Sequence, residues 1–388
     1  MTVCMAMMPH FSSELIFPAM HKHNHGSCIV ECPNGDLLAC WYRGAGEKSA
    51  DDVAIYASRR KRDGKSWTEP IVIADTPGFP DCNPCMIVDP RKRLWLFYPT
   101  ILDNHWESAI TKYKVSRSYQ RPGAPVWEVS EDLPLKPGPD FKESVDRDLR
   151  NAWQPFIDAA DPARQMMYRA EGARLLEAAG VKLSVRLGWM PRAHPTIIEG
   201  HRILLPLYSD LFDFSLVAIT DDWGATWQCS APMIGAGNVQ PSIVQRKDGE
   251  LVAFFRNNGP PPNRVQQSES RDGGLTWSIA HRNDLPNPGA GVEATKLRDG
   301  RWLFVGNNTE DGRHNLAVWV SEDEGRTWPH MRQLEHHSLG DGGYSYPSII
   351  EASDGTIHVT YSHSTKAGES IKHVEFNMAW LMAENERR

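Results

Sequence analysis

An eight-residue segment occurs three times in the second half of the chain and constrains the fold more than any other feature. The copies occupy residues 220–227 (TDDWGATW), 270–277 (SRDGGLTW) and 321–328 (SEDEGRTW). Their starts lie about fifty residues apart, and a fixed period of this size is typical of repeat folds. Asp and Gly favour turns, a Ser or Thr hydroxyl bonds local backbone, and Trp offers a large apolar face. The segment therefore predicts one Trp-pinned hairpin turn per repeat.

A second repeated pattern is a turn followed by a short apolar strand. Its copies begin at Gly35, Arg93, His201, Gly249, Gly300 and Gly355. Turn residues followed by β-branched and aromatic residues are typical of β-hairpins. Six hairpins at this spacing predict an all-β fold, a six-bladed β-propeller of four-stranded sheets. We expect the strand at residues 371–376 to pair with an N-terminal strand and close the ring.

Residues 140–189 interrupt this pattern. Ala, Leu, Arg and Glu recur there at helical spacing, which predicts one or two helices. We interpret the segment as a helical insertion in the third blade that caps one face of a single propeller domain spanning residues 1–388. A small separate domain is the alternative.

Composition and charge narrow the possible partners. The chain has 388 residues, of which 40% are apolar and 23% are charged, as in soluble globular proteins. A net charge of -7 argues against nucleic acid and anionic membranes as partners. The N-terminus lacks a basic segment before an apolar core, and no run is long enough to span a membrane. We therefore expect a cytoplasmic protein, and the oligomeric state stays open.

Six polar residues are candidates for one pocket, because the innermost strands of a propeller converge on its axis. In each blade we take the polar residue that lies about nine positions before the turn, or fewer in the third blade. These residues are His25, Asn83, His194, Gln240, Glu293 and Tyr346. Four of them precede proline, which favours extended backbone, and we expect extended strand entries there. Each residue alone is also consistent with a hydrogen-bonded core position. Six together are costly to bury without a function.

Charged residues complete the candidate site. Arg256 and Arg313 stand beside strands of the fourth and fifth blades, and guanidinium groups suit bidentate binding of a carboxylate. Arg43, at the end of an early strand, is a further substrate-binding candidate. Glu47 and Asp51 follow in the next loop, where a carboxyl can serve as general acid.

Two patterns raise the question of a metal. The histidines of residues 21–25 (HKHNH) alternate and would share one face of a strand, but they can equally lie in a loop before it. Cys82 and Cys85 form a C-x-x-C pair without a second half, among seven cysteines. We expect no metal and no cofactor.

The Trp-turn segment resembles the Asp-box of the sialidase (neuraminidase) superfamily. Residues 237–249, 313–328 and 344–361 also resemble sialidase blade sequences, most of all those of bacterial sialidase-like proteins with BNR repeats. Sialidases use three arginines on the substrate carboxylate, a Tyr nucleophile supported by a Glu, and an Asp acid in an early loop. The resemblance places the second and third arginines on Arg256 and Arg313, and the nucleophile on Tyr346. It places the acid near Glu47 or Asp51.

The chain departs from this pattern at two positions. The first arginine falls on His25, and the Glu that supports the nucleophile falls on Gln240, a side chain that cannot serve as base. A Tyr with an ordinary pKa of about 10 then needs another base, and Glu293 and His194 are our candidates.

The function implied is an exo-acting glycoside hydrolase of sialidase type that releases a terminal acidic sugar from a glycan. Two alternatives stay open. One is a polysaccharide lyase or hydrolase acting at a uronic acid, with His25 or His194 and Tyr346 as base and acid. The other is a propeller that binds carbohydrate without turnover. All three have an acidic glycan as the expected partner.

Overall fold

The structure, a computed structural model, describes residues 8–383, and its strands form six antiparallel sheets. The chain begins with strand β1 (Phe11–Leu15). The first sheet contains β2 (His23–Glu31), β3 (Leu37–Gly44), β4 (Ala54–Arg60) and β5 (Ile71–Ala74). The second contains β6 (Cys85–Val88), β7 (Leu94–Ile101), β8 (Ala109–Ser116) and β9 (Val129–Asp132). A short 3-10 helix at Trp106–Ser108 precedes β8.

Three helices separate the second sheet from the third. They are α1 (Phe141–Ala159), α2 (Pro162–Ala179) and α3 (Lys182–Arg186). The third sheet contains β10 (Trp189–Pro191), β11 (Thr196–Ile198), β12 (Arg202–Ser209), β13 (Phe214–Thr220) and β14 (Gln228–Cys229). The fourth contains β15 (Asn238–Gln245), β16 (Leu251–Asn257), β17 (Arg264–Ser270) and β18 (His281–Pro286). The fifth contains β19 (Glu293–Lys296), β20 (Trp302–Gly306), β21 (Asn315–Ser321) and β22 (His330–His336).

The sixth sheet joins the two ends of the chain. It contains β23 (Gly343–Glu351), β24 (Ile357–Thr365) and β25 (Gly368–Phe376), and helix α4 (Met378–Met382) follows. Strand β1 is its fourth strand, with Phe11 opposite Phe376 and Leu15 opposite Lys372. The predicted closure of the ring by the N-terminal strand is therefore confirmed, and β2 also contacts β23 across the junction.

All six predicted turns connect the first two strands of a blade. Each contains a residue with positive φ, where glycine carries the smallest penalty. These residues are Gly35, Lys92, Gly200, Gly249, Gly300 and Gly355. The predicted six-bladed β-propeller is confirmed, and the inner strands β2, β6, β11, β15, β19 and β23 bring one end of each blade toward the axis.

The repeated Trp segment has the same hydrogen bonds in each copy. In the fifth blade, the Ser321 hydroxyl donates to Asp323 and accepts from the Gly325 N–H, and the Thr327 hydroxyl donates to Asp323. The equivalent bonds occur among Thr220, Asp222, Gly224 and Thr226 and among Ser270, Asp272, Gly274 and Thr276. The segment is thus a scaffold element, as its composition predicts.

The Trp of each segment is half-buried and packs between blades rather than inside one. The Trp328 ring lies 5.9 Å from Phe254 of the fourth blade and 5.6 Å from Phe304 of the fifth. Trp227 lies 6.1 Å from Phe97 and 5.9 Å from Tyr113, both in the second blade. The segment therefore fixes each blade against the one before it.

The helical insertion lies in the connection that leads into the third blade, between β9 and β10. Its apolar face packs on that blade, with the Phe141 ring 5.7 Å from Phe212 and 6.3 Å from Trp189. Arg174 donates to the Leu211 carbonyl at 2.9 Å, so α2 lies beside the hairpin between β12 and β13. The organisation of residues 1–388 as one domain stays a prediction.

Among the described residues, no helix is both long and apolar enough to cross a membrane. The expected lack of a leader concerns residues that lie partly outside the described range. The cytoplasmic location is likewise a prediction that the fold does not test.

Candidate active site

Backbone bulges set the direction of the side chains at the entry of the inner strands. Asn83, Gln240 and Tyr346 have φ values of 40°, 55° and 53°, in the left-handed region. The pairing register shifts across Gln240 and across Tyr346, and a β-bulge re-aims a side chain in this way. Our expectation of extended backbone before proline is wrong at these three positions. Left-handed backbone at non-glycine residues costs free energy and is concentrated at functional sites.

Tyr346 lies at the centre of a group of cations. The Arg256 guanidinium donates to the Tyr346 hydroxyl at 3.0 Å, and the Arg313 guanidinium carbon lies 5.5 Å from the ring centre. Burial alone would raise the pKa of the Tyr346 phenol, but the charges of Arg256 and Arg313 outweigh it and hold the pKa below its ordinary value. The structure thus brings both predicted arginines to the predicted nucleophile.

Gln240 touches the same hydroxyl. Its amide nitrogen lies 3.4 Å from the Tyr346 oxygen, while its buried amide oxygen has no hydrogen-bond partner among the described residues. A Cβ atom on Gly291 would lie 3.0 Å from the Tyr346 ring and 3.1 Å from the Gln240 oxygen. Glycine at this position allows the close approach. The amide orients the phenol and leaves its proton to another acceptor.

His25 stands where the family pattern has an arginine. Its ring makes an edge contact with Tyr346 at 4.4 Å and with Tyr42 at 5.8 Å. Burial lowers the pKa of His25 to about 3, although the nearby Glu47 opposes the shift. The imidazole is therefore neutral, and it can form hydrogen bonds but supplies no positive charge.

Arg192 provides a third cation that the sequence analysis missed. It lies between β10 and β11, is buried, and places its guanidinium carbon 4.9 Å from the Tyr346 ring centre. It donates to the Pro347 carbonyl at 3.0 Å and the Ser27 carbonyl at 3.3 Å. The available signal was its position two residues before His194 in the same inner segment. We call Tyr346, His25, Arg192, Arg256 and Arg313 the tyrosine cluster.

Glu47 reaches the rim of the cluster in an ionised state. The Tyr42 hydroxyl donates to it at 2.8 Å, and His23 lies 3.3 Å from Glu47 and 3.0 Å from Glu369. Burial alone would raise the pKa of Glu47, but its contact with His23 outweighs burial and lowers the pKa to about 2. The charge of Glu47 in the free protein does not suit the expected role of general acid.

Arg43 and Asp51 make their contacts elsewhere. Because neighbouring residues of a strand point to opposite faces, Arg43 faces away from the cluster that Tyr42 contacts. Its guanidinium lies 4.5 Å from the Phe17 ring and donates to Asn24 at 2.6 Å. Asp51 is exposed and accepts a hydrogen bond from Asn104 at 3.0 Å. These contacts do not support the substrate-binding role expected of Arg43 or the proton-transfer role expected of Asp51.

His194 and Glu293 form a buried ion pair. One Glu293 oxygen accepts from the backbone N–H and the Nδ1 of His194 at 2.8 Å and 2.7 Å, and the other accepts from the Ile349 N–H at 3.0 Å. His194 Nε2 lies 2.8 Å from the Ile29 carbonyl. A carbonyl only accepts, so both ring nitrogens carry hydrogen and the ring is an imidazolium.

The pKa shifts agree with this assignment. Burial alone would lower the pKa of His194, but Cys28 and Glu293 outweigh it and raise the pKa. Burial would raise the pKa of Glu293, and His194 outweighs it and lowers the pKa. Neither group is therefore poised to take a proton from Tyr346, which corrects our expectation of a base at these positions.

Two further polar residues interact with groups at or beside the tyrosine cluster. Asn83 donates to the Tyr208 hydroxyl at 3.1 Å and so serves to position that tyrosine. Asp210, half-buried in the turn after β12, was missed by the sequence analysis. Burial raises the pKa of Asp210 to about 6, although Arg256 opposes the shift. Asp210 therefore stays protonated up to a higher pH, closer to neutral, than an ordinary carboxyl group does.

Comparison with known proteins identifies the family of the chain. The family model described as a BNR repeat-like domain matches residues 35–149 and 158–359. The chain belongs to this BNR family. The sialidase of Micromonospora viridifaciens is 25% identical to this BNR protein over 372 residues, which cover 91% of this chain and 51% of the relative. The chain thus spans about half the length of that relative.

Solved structures share the propeller. A protein of unknown function from Dyadobacter fermentans DSM 18053 has a TM-score of 0.69 and 16% identity, covering 95% of this chain and 100% of that one. The NanB sialidase from Streptococcus pneumoniae has a TM-score of 0.68 and 14% identity, covering 95% and 71%. At these identities the likeness concerns the fold alone. This BNR protein has a sialidase-like β-propeller fold.

Proposed function

We propose that this BNR protein is an exo-acting glycoside hydrolase that releases a terminal carboxylate-bearing sugar, of the sialic acid type, from a glycan. The observation that carries the proposal is the contact of Arg256 with the Tyr346 hydroxyl at 3.0 Å, with Arg313 beside the same ring. A carboxylate bound by these guanidinium groups lies next to the phenol oxygen. The sialidases among its relatives and structural neighbours support the same reading.

The proposed reaction has two steps. The Tyr346 oxygen, having lost its proton to water, forms a bond to the anomeric carbon as the glycosidic carbon–oxygen bond breaks. The leaving oxygen takes a proton from Asp210. Water then attacks the anomeric carbon, returns a proton to Asp210 and releases the phenolate. The cations of the tyrosine cluster favour the phenolate form throughout, because they stabilise its negative charge.

We assign the acid role to Asp210 for an electrostatic reason. Two carboxyl groups that interact with the tyrosine cluster differ in protonation, since the pKa of Glu47 is lowered to about 2 and that of Asp210 is raised to about 6. A general acid works best when its pKa lies near the working pH. Glu47 then contributes through its hydrogen bond with Tyr42.

The proposal is tested with aryl glycosides of sialic acid and glucuronic acid, and of galactose as the neutral control. We expect turnover of an acidic glycoside and none of the galactoside. Arg256→Lys and Arg313→Lys should each lose about 10–100-fold in kcat/KM, because Lys keeps the charge but loses the bidentate geometry. Arg121→Lys is the matched control, since Arg121 is exposed. Normal turnover by both cluster variants would place the carboxylate site elsewhere.

Glycosides with different leaving groups test the role of Asp210 as general acid. Asp210→Asn should retain most of kcat/KM for aryl glycosides, because kcat/KM reports the first step and aryl leaving groups need little protonation. The same variant should lose about 10²-fold or more in kcat/KM for alkyl glycosides. An equal loss for both leaving groups would show that Asp210 is not the acid.

A second candidate function rests on His25. A neutral imidazole replaces the first arginine of the family pattern and contacts Tyr346 edge-on at 4.4 Å. Such a pair suits elimination at a uronic acid, in which the Tyr346 phenolate removes the proton beside the carboxylate and the neighbouring carbon–oxygen bond breaks. The leaving oxygen then takes that proton from Tyr346, while the neutral imidazole of His25 hydrogen-bonds the substrate. A rise in ultraviolet absorbance from an unsaturated uronate product would identify this activity, and ligand binding with no product would identify a binding propeller.

A further inference from the structure

A cluster of metal-binding side chains lies on the sixth blade, away from the tyrosine cluster. His358 on β24 stands opposite Glu375 on β25, and His373 on β25 stands opposite Glu14 on β1. Residues two apart on a strand, and residues directly opposite on neighbouring strands, share a face of the sheet. Three adjacent strands therefore hold all four side chains on one face.

The spacing of these groups is that of ligands around one ion. His358 Nδ1 lies 3.0 Å from His373 Nε2 and 3.7 Å from a Glu375 oxygen. All three ligand atoms lie within 4.8 Å of one another. Zinc holds imidazole nitrogens and carboxylate oxygens at about 2.0–2.2 Å with tetrahedral angles, which separates neighbouring ligand atoms by about 3.4 Å. The two imidazoles are 4% and 1% exposed, so the sheet fixes their positions.

A second observation points to the same ligand. Glu14 lies 3.5 Å from Nδ1 of His373, the ring nitrogen on the far side from the cluster. Trp67 donates to that carboxylate at 3.0 Å and so holds it in place. Histidines that bind metals commonly donate their other N–H to a carboxylate, which fixes the tautomer with a free nitrogen toward the ion.

The cluster opens on one side into a cavity of about 510 Å³, lined among others by His10, Arg60, His358 and Glu375. His10 Nε2 lies 3.4 Å from a Glu375 oxygen. A fourth ligand, either water or His10, can therefore approach from this side. Arg60 pairs with both Glu14 and Glu375, and an ion at the cluster would compete with it for Glu375.

We propose that His358, His373 and Glu375 bind one divalent transition-metal ion, with Zn²⁺ as the best match to two imidazoles and one carboxylate. Glu14 positions His373, and Arg60 weakens the affinity by its positive charge. The site lies between the sixth and first blades, where the N-terminal strand closes the ring, and an ion there would tie β24, β25 and, through Glu14, β1 together. The proposal does not depend on the reaction at Tyr346.

The test uses the full chain after removal of metal with a chelator. Titration with Zn²⁺ in a calorimeter should show one site per chain, and Co²⁺ in its place should give the visible absorption bands of a tetrahedral complex. Zinc should also raise the unfolding temperature, because the folded chain holds the three ligands together and binds the ion more tightly than the unfolded chain does. Absence of both saturable zinc binding and a cobalt spectrum would overturn the proposal.

Variants locate the site. His358→Gln and His373→Gln should weaken zinc at least about 100-fold, and Glu14→Gln about 10-fold, the range for lost orienting groups. Arg60→Met keeps both imidazoles and should bind zinc more tightly. His330→Gln, at an exposed histidine, is the matched control. Zinc affinity that is unchanged in His373→Gln and in Arg60→Met would place any bound metal elsewhere and contradict the assignment.

Discussion

At Glu293 a single carboxylate accepts three hydrogen bonds, two from His194 of the third blade and one from Ile349 of the sixth. The residue itself belongs to the fifth blade. It therefore links three blades through the inner strand of the fifth. The sequence shows that each inner strand carries a polar residue. It does not show whether hydrogen bonds in the folded chain leave that residue available to accept a proton.

Glu293→Gln should reduce the free energy of unfolding by roughly 3–5 kcal/mol, the usual cost of leaving one partner of a buried ion pair uncompensated. The pH dependence of any residual activity should keep the wild-type shape, because Glu293 is not the base. Chemical denaturation and a pH–rate profile measure the two effects. Glu177→Gln, at an exposed position on α2, is the control. If Glu293→Gln is as stable as the wild type and its pH–rate profile loses the acidic limb, which ionisation of a general base produces, Glu293 is the base after all.

His23 gives a pH-dependent contribution to stability. Burial alone would lower the pKa of His23, but the ion pairs with Glu369 and Glu47 outweigh it and raise the pKa from 6.5 to about 9. The folded state therefore binds the proton more tightly than the unfolded state. The stabilisation is fully present below pH 6.5 and is lost as the pH rises through about 9.

His23→Gln should remove this contribution, on the order of 2–3 kcal/mol. The measurement is the free energy of unfolding between pH 6 and pH 10 for both proteins. The gap between the wild type and His23→Gln should narrow as the pH rises, whereas parallel curves would contradict the ion-pair assignment.

At the scale of single residues, the repeated position of polar residues before each turn predicted that certain side chains would meet. It did not predict the direction in which each side chain points. Gln240 and Tyr346 do come together, as the step back from each turn predicts. Arg43 points away, because its strand places Tyr42 on the inner face. Asp210 and Arg192 lie in a hairpin turn and a short inner segment, for which no repeated pattern exists.

At the scale of the element, the Trp segment is the most predictable part of the molecule, because its bonds are local. Ser321, Asp323, Gly325 and Thr327 satisfy one another within seven residues. The position of the Trp is less predictable from local sequence. Its ring meets aromatic residues of the preceding blade, and such contacts depend on the assembled ring.

Trp227→Ala, Trp277→Ala and Trp328→Ala should each lower the free energy of unfolding by a similar amount. We expect about 2–3 kcal/mol, less than for a fully buried Trp, because each ring is half-buried. Urea denaturation followed by circular dichroism provides the values. Unchanged midpoints in all three variants would refute the role of the segment as a contact between blades.

At the scale of the whole molecule, the number of blades follows from counting turns, because every blade repeats the same hairpin. Ring closure by β1 was also predictable, since the last blade otherwise lacks a fourth strand. The insertion was recognisable as helical from its spacing. Its packing beside the third blade follows from aromatic contacts such as Phe141 with Phe212, which sequence spacing does not encode.

The charge distribution also emerges only in the folded chain. The chain has a net charge of -7, yet three arginines surround one tyrosine at its axis. We expect this local positive site in a negative protein to bind a small acidic group in preference to an extended polyanion, because the surrounding negative charge repels the polyanion.

The most direct measurement of the central claim is the turnover of the best acidic glycoside by Tyr346→Phe. Tyr344→Phe is the control, because the Tyr344 hydroxyl is buried without a hydrogen-bond partner among the described residues. Loss of a nucleophile should reduce kcat by about 10³-fold or more and change KM little, while Tyr344→Phe stays at the wild-type rate. Full activity in Tyr346→Phe would contradict the account.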